Sequence, residues 1–451
     1  MMRYGEFIES VDGQLTIDGV NCVQLAEQYG TPLFIISENT LRSNYRKFFQ
    51  AFQSRYPAGV VVCVGMKANY GVAVRKIIVQ EGGGGDAFGL GELYVALLVG
   101  SDPQKIVMNG ANKSDTVLNA AIESDIIINV DSLGELITAG SIAERLQKQA
   151  NICLRIRLPL EQLAGKHYID PRYGPPGIDI SKWEREFKFG MEPQQIYEAV
   201  DFALKSPGIQ LQGLMYHGGI PRRAGYYREE VAELMDYISI IKSRLGWEPQ
   251  LLDLGGGFAP FRVGKEAPPS LDDYARSITD TIQVKAKQYG LSLPKLFLEP
   301  GRWCLENAVV YLVQVGNIKS DTKITQKKWV YVDGNINEMG DPFDPYVTYH
   351  HAVLANDTSA PEEEVADICG QLCNAADILA SGRKIPRVEN GDLLAFLDMG
   401  AYNESFANQS NAMPRSASVL VSGGKAAIAR RRETIQDIIS REVVPYWLLK
   451  I

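Results

Sequence analysis

The stretch VVVCVGMK, residues 60–67, is an unbroken apolar run closed by a lysine. A run of this length without polar alternation suits a strand covered on both faces, as in a parallel sheet. Seven further runs follow: Gly85–Gly89 (GDAFG), Lys105–Gly110 (KIVMNG), Ile126–Ser132 (IIINVDS), Ile152–Leu158 (ICLRIRL), Leu211–Gly219 (LQGLMYHGG), Leu251–Gly257 (LLDLGGG) and Lys295–Gly301 (KLFLEPG). GDAFG is the poorest strand of the set, because Gly82–Gly85 lead into it, and only the rhythm supports it. Between the runs, Glu92–Leu98, Thr116–Glu123, Gly134–Leu146, Pro193–Lys205, Glu229–Leu245 and Asp272–Tyr289 place apolar residues at helical spacing. Strand-helix alternation implies a parallel sheet with right-handed crossovers. Eight units favour a closed (β/α)8 barrel over an open doubly wound sheet, and no GxGxxG follows the first strand.

Outside this region the pattern changes. Ala308–Val315, Lys328–Val332, Leu393–Leu397 and Ser416–Val421 read as short strands with few long helices between them. GQLTIDGV, residues 13–20, is a further strand that can join them from the other end of the chain. The expected division is an N-terminal strand region at 1–35, a barrel at 36–305 and a C-terminal β domain at 306–451. Leu160–Gly190 is long, charged and rich in Gly and Pro, as a lid or specificity loop would be.

The 451 residues are 45% hydrophobic and 22% charged, with a net charge of −8. That composition suits a globular enzyme and disfavours nucleic acid or an anionic membrane as partner. No apolar run is long enough to span a bilayer and MMRYGEFIES lacks the apolar core of a signal peptide, so a cytoplasmic location is expected. Six cysteines are too few for a disulfide scaffold, and Cys369 and Cys373 have no second ligand pair nearby for zinc. No metal is expected.

Barrel active sites lie at the C-terminal ends of the strands. The first run ends at Lys67, whose amine is either a desolvated nucleophile or a surface cation on a snorkelling stem. The sixth ends near His217, which reads equally as a hydrogen-bonded buried imidazole. The seventh ends in Gly255-Gly256-Gly257, either an anion cradle or a tight turn. The eighth ends in Glu299-Pro300-Gly301-Arg302, and in this fold the last two loops often hold a phosphate. An amine, a phosphate cradle and a carboxylate together suit a cofactor with an aldehyde, a phosphate and a ring nitrogen, which describes pyridoxal 5'-phosphate (PLP).

The motifs in order carry a resemblance. YGTPLFIISENTLRSNY (29–45), MKAN (66–69), DAFGLGEL (86–93), NVDSLGEL (129–136), KFG (188–190), DLGGGF (253–258), EPGR (299–302), VDG (332–334), GDLLAFLDMGAYN (391–403) and RRRET (430–434) resemble the fold type III PLP-dependent decarboxylases, typified by diaminopimelate and ornithine decarboxylases. The resemblance implies an alanine-racemase-like barrel with a C-terminal β domain. It implies Lys67 as the cofactor-linking lysine, Asp86 as the acid beside it, and His217 as the ring-stacking residue. Gly255, Gly256, Gly257, Gly301, Arg302 and Tyr402 would bind the phosphate end, and Glu299 the pyridine nitrogen. Cys373 would return a proton after decarboxylation, acting in the site of a second subunit, so a homodimer is implied.

Four positions depart from the diaminopimelate pattern. Ile220 stands where a hydroxyl follows the stacking histidine, Asn374 where an acid follows the cysteine, Asp341 where an arginine is usual, and Ser410-Asn411 where a tyrosine is usual. Val347 replaces the ornithine-type acid after the pocket tyrosine, Tyr346. Tyr346, Asn374 and Asp341 are therefore the expected substrate contacts of an altered pocket. The expected activity is decarboxylation of an amino acid or conjugated amino acid, free or tethered to a carrier, in secondary or siderophore metabolism. The alternatives are an amino-acid racemase on the same barrel and a non-catalytic PLP-binding homologue.

Overall fold

A computed structural model describes residues 3–158, 188–219, 223–263, 267–339 and 350–449. The chain forms two compact units, Leu41–Phe261 with Lys265–Glu306, and Met1–Thr40 with Arg262–Gly264 and Asn307–Ile451.

The chain starts in the β-rich unit. β1 (Ile8–Val11), β2 (Gln14–Ile17) and β3 (Val20–Asn21) form a small antiparallel sheet, and β4 (Leu33–Ser37) follows. GQLTIDGV thus lies in this small sheet and not in the large one. It still belongs to the β-rich unit: Leu15 N–H donates to Ala355 O at 2.8 Å, and Leu15 and Ile17 share a core with Leu33, Val310 and Leu393.

The barrel closes from β5 (Val60–Gly65), β6 (Gly84–Ala87), β7 (Ile106–Met108), β8 (Ile127–Val130), β9 (Ala150–Arg155), β10 (Ile209–Met215), β11 (Leu251–Asp253) and β12 (Lys295–Leu298), with β12 pairing parallel to β5. All eight expected runs supply a strand. Each of the six expected helices forms, extended by up to five residues at its start, as in Ala224–Leu245. The doubtful second run is a strand because its glycines are required there. A methyl group on Gly84 would stand 1.7 Å from Lys105 O, so the β6 and β7 backbones meet where no side chain fits.

The large sheet of the β-rich unit has β4 inside it, between β13 (Val309–Asp321) and β19 (Ala417–Ser422). β14 (Lys327–Val332), β16 (Glu362–Cys369) and β17 (Ile378–Pro386) extend it beyond β13, and β20 (Lys425–Arg430) pairs with β19. β15 (Ala352–Leu354) and β18 (Leu393–Phe396) complete it. Alternation sets its two faces: Leu33 and Ile35 enter the shared core with Val310 and Leu312, while Phe34 stacks on Tyr311 on the other side at 4.5 Å. Among the described residues no helix is long and apolar enough to cross a membrane.

Candidate active site

A cluster of buried side chains inside the barrel comprises Val61, Cys63, Val107, Ile127, Cys153, Met215, Leu251 and Phe297. Strand side chains repeat every second residue, so inward positions recur two residues on. Two residues beyond Val107, Ile127, Cys153, Met215, Leu251 and Phe297 stand Asn109, Asn129, Arg155, His217, Asp253 and Glu299. The barrel interior turns from apolar to polar within one step, at the C-terminal ends of the strands.

Lys67 reaches this layer from a one-turn 3-10 helix, Met66–Ala68, rather than from the strand itself, which stops at Gly65. Met66 and Ala68 are buried, anchoring the turn on both sides of the lysine. Its amine pairs with Asp86 Oδ2 and lies 4.6 Å from the centre of the Phe88 ring. The Asp86 side chain is fully buried, and that of Lys67 keeps 30% exposure. Gly65 N–H donates to Pro300 O at 3.1 Å, tying the lysine turn to the Glu299 loop.

The acids beneath the amine form one network. Asn109 Nδ2 donates to Asp86 Oδ1 at 2.8 Å and to Glu299 Oε1 at 2.7 Å. Asn129 Nδ2 donates to Asn109 Oδ1 and to Asp253 Oδ2, both at 3.0 Å, and Gly255 N–H donates to Asp253 Oδ1 at 3.0 Å. Burial, then the charges of Asp253 and Asp86, push the Glu299 carboxyl well above the usual range, with Lys67 opposing. Burial also raises Asp253, against the hydrogen bonds from Gly255, Glu299 and Asn129, and the bond between the two acids raises Glu299 further. Glu299 Oε2 is buried and receives no hydrogen bond.

The triple glycine forms a wall facing His217. Gly255 has φ +62° and Gly257 φ +94°, and a methyl group on Gly255 would stand 2.5 Å from His217 Cγ. The seat of Gly256 is equally tight, 2.6 Å from Glu299 O, and its carbonyl accepts from Tyr227 OH at 2.7 Å. His217 Nδ1 accepts from Gly219 N–H at 2.8 Å, so a neutral ring carries its proton on Nε2. Arg302 pairs with the fully buried side chain of Glu306 at 3.3 Å.

The structure thus brings Lys67, Asp86, His217, Gly255, Gly256, Gly257 and Glu299 to one end of the barrel, with Gly301 and Arg302 directly after Glu299. Asn109, Asn129, Arg155 and Asp253 belong to the same polar group; Asn129 and Asp253 open quoted motifs, but none of the four was singled out as a site residue. Counting two residues on from each inward apolar position would have found them.

Cys373, Asn374 and Tyr402 belong to the β-rich unit. Cys373 is exposed on the loop after β16. Asp377 shapes that loop: its carboxylate accepts from Leu372 N–H at 2.7 Å and Ile336 N–H at 2.8 Å. Asn411, in the left-handed region at φ +59°, grips the cysteine twice: its Oδ1 accepts from Cys373 N–H at 3.3 Å and its Nδ2 donates to Sγ at 3.2 Å. Asn374 Oδ1 accepts from Ala376 N–H at 2.9 Å, within its own turn. Tyr402 is buried at φ +64°, an uncommon conformation for a residue with a Cβ. Asp341, Tyr346, Val347, Ile220 and nearly all of Leu160–Gly190 lie outside the described residues.

These features fit PLP. Lys67 is an amine beside a buried acid, Gly255–Gly257 bring backbone close to an incoming group, and Glu299 Oε2 lacks the donor that a protonated pyridine nitrogen provides. Fold and site define a PLP-dependent enzyme on an alanine-racemase-like barrel.

Residues 41–306 match the family described as pyridoxal-dependent decarboxylases, pyridoxal-binding domain. Over 443 residues the chain is 34% identical to the diaminopimelate decarboxylase of Methanothermobacter thermautotrophicus, covering 97% of each. The crystal structure of diaminopimelate decarboxylase from M. jannaschii in complex with L-lysine superposes with a TM-score of 0.89 at 32% identity, covering 99% of this chain and 100% of that one. A lysine/ornithine decarboxylase from Vibrio vulnificus, 20% identical with a TM-score of 0.70 and covering 89% of this chain and 97% of its own, shares the fold. The chain belongs to the fold type III PLP-dependent decarboxylases and is an amino-acid carboxy-lyase.

Proposed function

We propose that Lys67, Glu299 and Cys373 share the chemistry of amino-acid decarboxylation, and that the substrate's far end differs from that of diaminopimelate. The pairing of the Lys67 amine with Asp86, in one layer with a Glu299 oxygen that receives no hydrogen bond, carries the assignment of the cofactor residues. Bound PLP supplies the electron sink that takes up the bonding pair released with carbon dioxide. Lys67 would hold the cofactor at its aldehyde end, and Asp86, paired with the amine, would orient it. Glu299 Oε2 would accept from the ring nitrogen, and a positive ring would relieve the crowding of three buried carboxylates. His217, held by Gly219 N–H, would stack on the ring. The glycine turn, Gly301, Arg302 and Tyr402 would hold the phosphate end, with Arg302 partly neutralised by Glu306.

Cys373 Sγ delivers the proton that replaces carbon dioxide at Cα. Its exposure suits a residue that completes the site of a second copy. Asn374 supports the altered pocket: it is neutral, and its carbonyl oxygen serves its own turn rather than a substrate ammonium. Asp341 and Tyr346 are further proposed substrate contacts.

The test is carbon dioxide release by the PLP-loaded protein on a panel of amino acids including meso-diaminopimelate, lysine and ornithine. The reading expects PLP-dependent release, with a substrate other than meso-diaminopimelate preferred. Preference for meso-diaminopimelate would remove the altered pocket, and racemisation without carbon dioxide would remove the proton-delivery role. Mixing inactive Lys67→Ala and Cys373→Ala proteins should restore about a quarter of native activity if sites are shared between copies, and none if they are not.

A further inference from the structure

The amide of Asn109 spends both hydrogens on carboxylates with different tasks. One hydrogen bonds Asp86, the partner of Lys67, and the other bonds Glu299. Its oxygen is used as well, accepting from Asn129, whose other hydrogen bond goes to Asp253. Every bond in this chain is buried, with Asn109 and Asn129 each 1% exposed. The orientation of Asn109 is forced: turned over, it would set its oxygen against two carboxylates and its amino group against another amino group.

We propose that Asn109 is a positioning residue that couples the counter-ion of Lys67 to the carboxylate facing the cofactor's ring nitrogen, and that Asn129 fixes its orientation. The inference rests on the PLP reading above. The cofactor is gripped at two distant points, its aldehyde end at Lys67 and its ring nitrogen at Glu299. Neither point is rigid alone, since a lysine stem and a glutamate side chain each have several rotatable bonds. A shared planar amide holds Asp86 and Glu299 at a set separation and shields one acid from the other with N–H dipoles. A carbon side chain of similar volume would fill the space and supply neither effect. The charged groups around it are Asp86 on β6, Asp253 on β11, Glu299 after β12, Lys67 after β5 and Arg155 on β9, with Arg75 and Glu92 acting on Asp86 and Asp131 on Arg155.

The experiment compares native protein with Asn109→Leu and Asn129→Ala. It reads the PLP dissociation constant of the apoprotein, the position of the visible band of lysine-bound PLP, and the pH midpoint of that band. Asn109→Leu should weaken PLP by about tenfold or more, as expected when two charge-assisted hydrogen bonds are lost, and should move both band and midpoint. Asn129→Ala should move them the same way by less, because the donors remain but are unanchored. It also carries the test if the leucine variant does not fold. A folded Asn109→Leu protein with native PLP affinity, band and midpoint overturns the proposal and leaves the PLP reading intact. Native protein that takes up no PLP overturns both.

Discussion

The barrel end and the Cys373 loop are built on opposite principles. At the barrel end, Asp86, Asn109, Asn129, Asp253 and Glu299 are buried and joined by side-chain hydrogen bonds. In the loop, Cys373 is exposed and its partner Asn411 comes from a distant turn. Buried polar networks are costly unless nearly complete, so a change in one member disturbs the rest. An exposed loop held by its backbone, as Asp377 holds this one, can change side chains without such a penalty. By that contrast, substitutions in the buried network should disturb the whole barrel end, while substitutions in the Cys373 loop should act locally.

The largest expected effect lies at the barrel end. Lys67→Ala should lower decarboxylation by about a thousandfold or more and abolish the visible band of lysine-bound PLP, read by absorbance and turnover. A retained band would move the covalent role elsewhere. Cys373→Ala tests the loop. Turnover should fall by about 10²–10⁴-fold, the range for a positioned general acid, while PLP affinity stays native. Loss of PLP binding in that variant would mean that the two regions are not separable as argued.

Glu299 and Asp253 yield a pH signature of the network. Their carboxyls titrate above the ordinary range in the folded protein, whereas the unfolded chain releases these protons near pH 4. In the apoprotein these two groups therefore contribute stability that is fully present in acid and is lost as pH rises through the raised values, at up to about 1.4 kcal/mol per pH unit for each proton. Melting temperatures of the PLP-free protein should fall between mildly acidic and neutral pH. Added PLP should flatten the trend, and Glu299→Gln should flatten it without PLP. An unchanged slope in that variant would place the linked proton on another group.

The smallest effect sharpens the comparison from the loop side. Asn374→Glu should raise kcat/KM for substrates with a distal ammonium by about 10-fold relative to the native protein, the scale of one charge-assisted hydrogen bond. No change in relative preference would remove position 374 from the substrate contacts.

The barrel was readable because burial on both faces leaves unbroken apolar runs. β6 was nearly missed, because its glycines lower strand propensity while the approach of the β7 backbone demands them. β4, inside the large sheet, passed unnoticed as a strand although Leu33–Ile36 are all apolar. Separated from the other strands of the large sheet by the whole barrel, it gives no local rhythm to read. At the site, Lys67, His217 and Glu299 stood out by residue type at a strand end, whereas Asn109, Asn129, Arg155 and Asp253, two of them opening quoted motifs, show their inward placement only relative to apolar neighbours two residues earlier.

Side-chain alternation and strand-helix rhythm are properties of consecutive residues. The amino-acid order alone therefore specified eight barrel strands and the places of Lys67, His217 and Glu299 at their ends. Contacts between residues far apart in the chain are decided only when the barrel closes and the β-rich sheet assembles. Closure brings Asn109 between Asp86 and Glu299, which lies 190 residues further on. Assembly of the other unit brings Asn411 to Cys373 across 38 residues. Hydrogen bonds act over about 3 Å, and no spacing along the chain encodes that distance until the backbone has folded.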